Sequence, residues 1–102
     1  MFSVIYTFEV KPGSENDFVK AWSALTQLFK EYAGSGGSRL NKAATGNYVA
    51  YAQWPDRQTW EQAAEKLPLE AGQIRKKMRE SCLNIDTQFE LESIVDLIQN
   101  KQ

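Results

Sequence analysis

The sequence predicts an α+β domain in which helices cover one face of an antiparallel sheet. Three observations carry this. Both ends of the chain alternate apolar and polar residues with a period of two, the stretch after the first alternation follows helical spacing, and a tight glycine-containing turn joins two strand-like runs in the middle.

In the first alternation, Phe2, Val4, Tyr6, Phe8 and Val10 share one side, and Ser3, Ile5, Thr7 and Glu9 share the other. Aromatic and β-branched residues at that spacing suit a strand with one buried face. Lys11, Pro12 and Gly13 end it, because proline lacks a ladder donor and glycine accepts a turn. Ser14 is placed to cap a helix, with Glu15 and Asp17 near the positive end of its dipole. The stripe Phe18, Trp22, Leu25, Leu28, Phe29 and Tyr32 predicts that helix to about Ala33, where Gly34 stops it.

Strands are expected at 38–44 and 47–54, paired as a hairpin through Gly46 and Asn47. Pro55 ends the second of them, and Asp56 caps a short helix carrying Trp60, Ala63, Ala64 and Leu67. Pro68 breaks that helix. A second helical piece over 69–81 turns Ile74 and Met78 inward and Arg75, Lys76, Lys77 and Arg79 mostly outward. In the last strand Leu83, Ile85, Thr87, Phe89 and Leu91 form the buried face, against Asn84, Asp86, Gln88, Glu90 and Glu92. Beyond it, Ile94, Val95, Leu97 and Ile98 are apolar enough to cover this domain's edge or a partner's.

The order β-α-β-β-α-β is ferredoxin-like, with helices on one sheet face. The other face, with Ile5, Val49 and Tyr51, then needs cover. A second copy packed sheet to sheet, a homodimer, supplies it.

Composition narrows the chemistry. The chain has 102 residues, which is enough for one domain spanning residues 1–102. It has no histidine, so no histidine triad, metal ligand or general base is available. One cysteine makes neither an internal disulfide nor a thiolate zinc site. A formal charge of -1 offers no footprint for nucleic acid or for an anionic membrane. There is no membrane-length apolar run and no signal-like N-terminus, so a soluble cytoplasmic domain is expected. Walker, GxGxxG and DxDxDG motifs are absent, and Glu9, Asp56 and Glu61 have no spacing that pairs them for acid–base work.

The third strand is the most informative segment. Tyr48, Ala50, Ala52 and Trp54 share one face, Trp60 follows, and Tyr6 and Phe8 can face the same space. Alanines between large rings either leave an aromatic-lined pocket or simply pack as core. Arg39 and Asn41, with Tyr51 and Gln53 across the hairpin, either hold an anion or form a polar cluster at an interface or in solvent. The basic run 75–79 reads as solvated helix surface, and Cys82 as a small buried side chain.

The chain resembles the antibiotic biosynthesis monooxygenase family of small dimeric α/β-barrel proteins. The residues that carry the resemblance are Phe2 to Val10 with Pro12 and Gly13, then Gly37 to Leu40, and above all Tyr48 to Pro55 with Thr59, Trp60 and Glu61. Phe89 to Glu92 and Val95 to Leu97 fit the same pattern. The resemblance implies a cofactor-independent monooxygenase that oxidises a small aromatic or quinol-like substrate with O2, without metal or flavin. The alternative is a non-catalytic dimer that binds a small hydrophobic ligand. Tyr6, Arg39, Tyr48, Tyr51, Trp54 and Trp60 are the expected substrate-binding residues. In the polyketide-oxidising branch the pocket holds an Asn, a Trp and a Tyr. Trp54 matches the Trp, whereas Ala50 stands in place of the Asn and Trp60 in place of the Tyr. The haem-degrading branch uses an axial histidine, which this chain lacks.

Overall fold

The computed structural model describes residues 1–98. Its elements are β1 (Phe2–Val10), α1 (Glu15–Tyr32), β2 (Gly37–Lys42), β3 (Tyr48–Trp54), α2 (Arg57–Gln62), a 3-10 turn (Ala63–Lys66), α3 (Ala71–Glu80) and β4 (Cys82–Glu92). The four strands form one antiparallel sheet in the order β2-β3-β1-β4. This is the ferredoxin-like α+β arrangement that the alternation of periods predicts.

The strand register places the inner face. Phe2, Val4, Tyr6 and Phe8 lie opposite Trp54, Ala52, Ala50 and Tyr48. One aromatic chain of contacts runs from Phe8 to Phe18 (4.9 Å between ring centroids) and on to Tyr48 (5.3 Å), joining the sheet to α1. A second joins Phe29 of α1 edge-on to Trp54 at 5.7 Å. Such pairs add about 0.5–1.5 kcal/mol each beyond area burial, so they fix how α1 lies across the sheet.

Local details differ from the sequence pattern for identifiable reasons. Ser14 occupies the N-cap of α1 but makes no side-chain capping bond; instead Glu15 Oε1 accepts from the Gly13 amide at 3.0 Å. Tyr32 is exposed, and Ala21 takes its place in the buried stripe. At the other end of α1 the amides of Ala33 and Ser35 both donate to the Phe29 carbonyl, and Gly34 turns the chain with φ +79°. Asp56 caps α2 as expected, its Oδ1 accepting from the Thr59 amide at 2.8 Å and from the Thr59 hydroxyl at 2.7 Å. Those bonds hold its carboxyl below the usual value. Ala64 is exposed, whereas Ala63 is buried.

The largest departure is in β4. Tyr6 lies opposite Thr87, yet Ile5 lies opposite Phe89, so Gln88 is an extra residue in a bulge. A bulge adds one residue to one strand and reverses the alternation beyond it. Ile85 and Thr87 therefore face inward with Phe8 and Tyr6. Phe89 and Leu91 pass to the outer face beside Ile5 and Ser3, where they are 58% and 42% exposed. Glu90 turns to the inner side, opposite Val4. The single buried face Leu83–Leu91 expected from the alternation is thus split, and Leu83, the extra residue of a second irregularity between Asn84 and Cys82, is exposed.

Candidate functional site

A cavity of about 690 Å³ lies between the inner sheet face and the helices, within the size range of small-molecule sites. It exists because β3 places Ala50 and Ala52 between the large rings, leaving the depth of two missing side chains under α1. Tyr6, Trp54 and Trp60 line it, with Trp22 and Phe29 from α1.

Tyr6 and Trp60 form its polar centre. The Trp60 indole N–H donates to the Tyr6 hydroxyl oxygen at 2.8 Å, so the Tyr6 proton is free to point elsewhere. Burial pushes the Tyr6 phenol above its ordinary value, opposed by the Trp60 hydrogen bond and the nearby Arg75 charge, while Glu90 adds to the rise. Tyr6 is therefore a neutral hydrogen-bond donor at physiological pH. Deeper in the wall, Trp54 is 4% exposed and its Nε1 has no hydrogen-bond partner among the described residues.

The cavity also holds charge that the linear pattern concealed. Arg75 and Arg79 of α3 both line it, as do Thr87 and Glu90 of β4. Glu90 is paired with Arg57, and Arg75 makes no ion pair among the described residues. The expected outward orientation of Arg75 is thus corrected. Ala71, Ile74, Arg75, Met78 and Arg79 follow i, i+3, i+4, i+7 and i+8, the stripe that faces a helix's neighbours. That spacing was the available signal for Arg75. For Glu90 there was none, because its position depends on the bulge.

The other expected site residues lie elsewhere. Tyr48 packs on Phe18 and takes a contact from Lys42 at 5.8 Å, outside the cavity lining. Arg39 and Tyr51 are cross-strand neighbours on the outer sheet face. There the Tyr51 hydroxyl accepts from Ser3 Oγ at 3.1 Å, and Asn41 donates to the Val49 carbonyl at 3.2 Å. Arg39 and Asn41 are exposed on this face, which also carries Ile5, Phe89 and Leu91, and neither lines the cavity. Cys82 is buried beside Phe8 and Phe18, and burial pushes its thiol up against the opposing Lys11 charge. Among the described residues no group of three or more His, Cys, Asp or Glu side chains gathers to hold a metal ion, and no helix is long and apolar enough to cross a membrane.

The sequence profile described as "Antibiotic biosynthesis monooxygenase" matches residues 1–68, two thirds of the chain. The chain belongs to the antibiotic biosynthesis monooxygenase family. Solved structures share the fold across nearly the whole chain. A point mutant of SnoaB, a cofactor-independent oxygenase from Streptomyces nogalater, superposes with TM-score 0.78 at 16% identity, covering 96% of this chain and 97% of that one. A protein from Bordetella bronchiseptica described as a candidate antibiotic biosynthesis monooxygenase gives 0.75 at 18% identity, covering 92% and 97%. One of the same description from Nitrosomonas europaea gives 0.75 at 13%, covering 93% and 100%. No curated protein matches the sequence. At these identities the neighbours establish the fold of this family member.

Proposed function

We propose that this family member is a cytoplasmic, homodimeric, cofactor-independent monooxygenase that oxidises a small aromatic substrate of the anthrone or quinol type with O2. The observation that carries the reading is the Tyr6–Trp60 hydrogen bond beside Arg75 inside an aromatic cavity. The SnoaB neighbour, itself a cofactor-independent oxygenase, supports it by fold alone.

The chemistry starts with loss of a proton from the substrate to solvent at the open mouth of the cavity. The resulting phenolate or enolate is the electron donor. Arg75 offers a cation and Tyr6 a neutral O–H, two preorganised groups of the kind that stabilise a developing oxyanion. Trp54 and Trp60 flank the ring and exclude water, which strengthens both interactions. For a benzylic CH2 flanked by aromatic rings, O2 accepts four electrons as the CH2 becomes C=O. One oxygen atom forms the new carbonyl, and the other leaves as water with the two hydrogens. Trp60, in the place of the branch's Tyr, brings the phenol of Tyr6 into the same part of the cavity by holding it at 2.8 Å.

Incubation with anthrone, following O2 uptake, tests this. Uptake is expected, with Tyr6→Phe and Arg75→Met each slowing it by about tenfold or more. No uptake above buffer across a panel of anthrones and hydroquinones refutes the enzyme. Ala50, in the place of the branch's Asn, favours the second reading, a dimer that only binds such a molecule. That reading expects calorimetric binding of anthrone without O2 uptake.

The outer sheet face supports the dimer, since Ile5, Val49 and Tyr51 are only half-buried there and Phe89 and Leu91 are exposed.

A further inference from the structure

Helix α2 carries Trp60 into the cavity wall, yet none of its residues is buried. It is held to the sheet by side-chain contacts at two points one turn apart. Trp60 packs on Phe2 with ring centroids 5.5 Å apart and donates to Tyr6. Arg57, the first residue of α2, lies over the same Phe2 ring at 4.7 Å and pairs with Glu90 of β4. Glu90 reaches it only because the bulge at Gln88 turns that end of β4 over; without the extra residue, Glu90 would point to the outer face. Gln88 itself is tied to the outer face by its bond to Thr7 Oγ1 at 3.2 Å.

We propose that the Arg57–Glu90 pair is the latch of α2, and that Glu90 is a positioning residue which acts through Arg57 to keep Trp60 against Tyr6. When the latch opens, α2 swings from Phe2, the Trp60–Tyr6 bond breaks and the cavity's existing mouth widens. The guanidinium and carboxylate are 44% and 39% exposed, so salt screens the latch in a way that it does not screen the aromatic contacts. The functional consequence rests on the cavity being the ligand site. The closure of α2 itself does not.

Exchange of the indole protons with D2O, followed by NMR on the 15N-labelled protein, reads the latch directly. The Trp60 signal is assigned by its loss in Trp60→Phe. In Glu90→Gln and in Arg57→Met the Trp60 indole proton is expected to exchange about two- to fivefold faster, with the buried Trp54 indole unchanged. In the parent chain, about 0.5 M sodium chloride, which shortens the Debye length to about 4 Å, is expected to speed the same proton, and to do nothing in Glu90→Gln. Trp60 exchange in Glu90→Gln equal to that of the parent overturns the proposal, whatever the salt response. If that variant does not fold, a parent chain whose Trp60 exchange ignores salt overturns it. Neither ligand nor turnover enters the measurement, so a failed oxygenase assay and a failed latch are separate results.

Discussion

Replacing Trp54 with phenylalanine separates two roles that a buried tryptophan usually combines. The side chain is 4% exposed, lies edge-on to Phe29 and leaves its Nε1 hydrogen without an acceptor among the described residues. A buried donor in that state costs about 1–3 kcal/mol of stability. Phenylalanine removes it. The substitution also removes about three buried ring atoms, which at about 0.8 kcal/mol per methylene-sized group loses roughly 2 kcal/mol. The space released joins a cavity of about 690 Å³ that is already there, so little new void is created. The two effects offset, and the net change in unfolding free energy is expected within about 1 kcal/mol of zero, against about 3–5 kcal/mol for truncating a packed tryptophan to alanine. Ligand binding should respond differently. The buried Nε1 is out of a ligand's reach, so what the ligand loses is the larger ring face, worth about 0.5–1.5 kcal/mol for an aromatic pair, and Trp54→Phe should weaken anthrone about two- to twelvefold. Urea unfolding followed by circular dichroism and calorimetric titration with anthrone measure the two quantities. A stability loss beyond about 2 kcal/mol with unchanged anthrone affinity refutes the reasoning, since the N–H would then cost nothing within the fold and the ring would not touch the ligand.

Three further outcomes follow from named contacts. Tyr6 has its folded-state pKa raised above the ordinary 10.0, so the stability it contributes is complete below that value and is lost as pH climbs through the raised one; thermal melts between pH 8 and 11 should show this fall, and Tyr6→Phe should flatten it. Gly34→Ala should cost about 1–2 kcal/mol in urea unfolding, because φ is +79° and the new Cβ would stand 3.2 Å from Thr59 Cγ2; an unchanged midpoint contradicts the strain. Phe89→Asp, on the outer face and exposed in the single chain, should leave the fold intact and yield a monomer in sedimentation at micromolar concentration, whereas a parent chain that is itself monomeric there removes the dimer.

The bulge in β4 shows most clearly where reading the linear pattern stops. Residues 83–91 alternate as cleanly as β1 does, yet half of the apolar set faces outward. The same applies to Arg39 and Arg75. A guanidinium on a strand beside an amide looks like an anion site, and a guanidinium in a basic helical run looks like surface. The fold puts the first on the outer face and the second in the cavity. Glu90 carries no local mark of its place at all.

What the sequence determined by itself is the order and type of the elements, the shared face of Tyr6, Ala50, Ala52 and Trp54, and the likeness to the family. These follow from how a chain projects its side chains, every second residue in a strand and every three to four in a helix, which is fixed by local covalent geometry. The tertiary structure decided which of those faces meets a cavity. That depends on pairing with residues as far apart as Phe2 and Glu92 and on extra residues in that ladder, and neither is encoded in the spacing of near neighbours. It also closed the Trp60–Tyr6 bond across 54 positions of sequence, turning two aromatic residues of the pattern into the polar centre of the site.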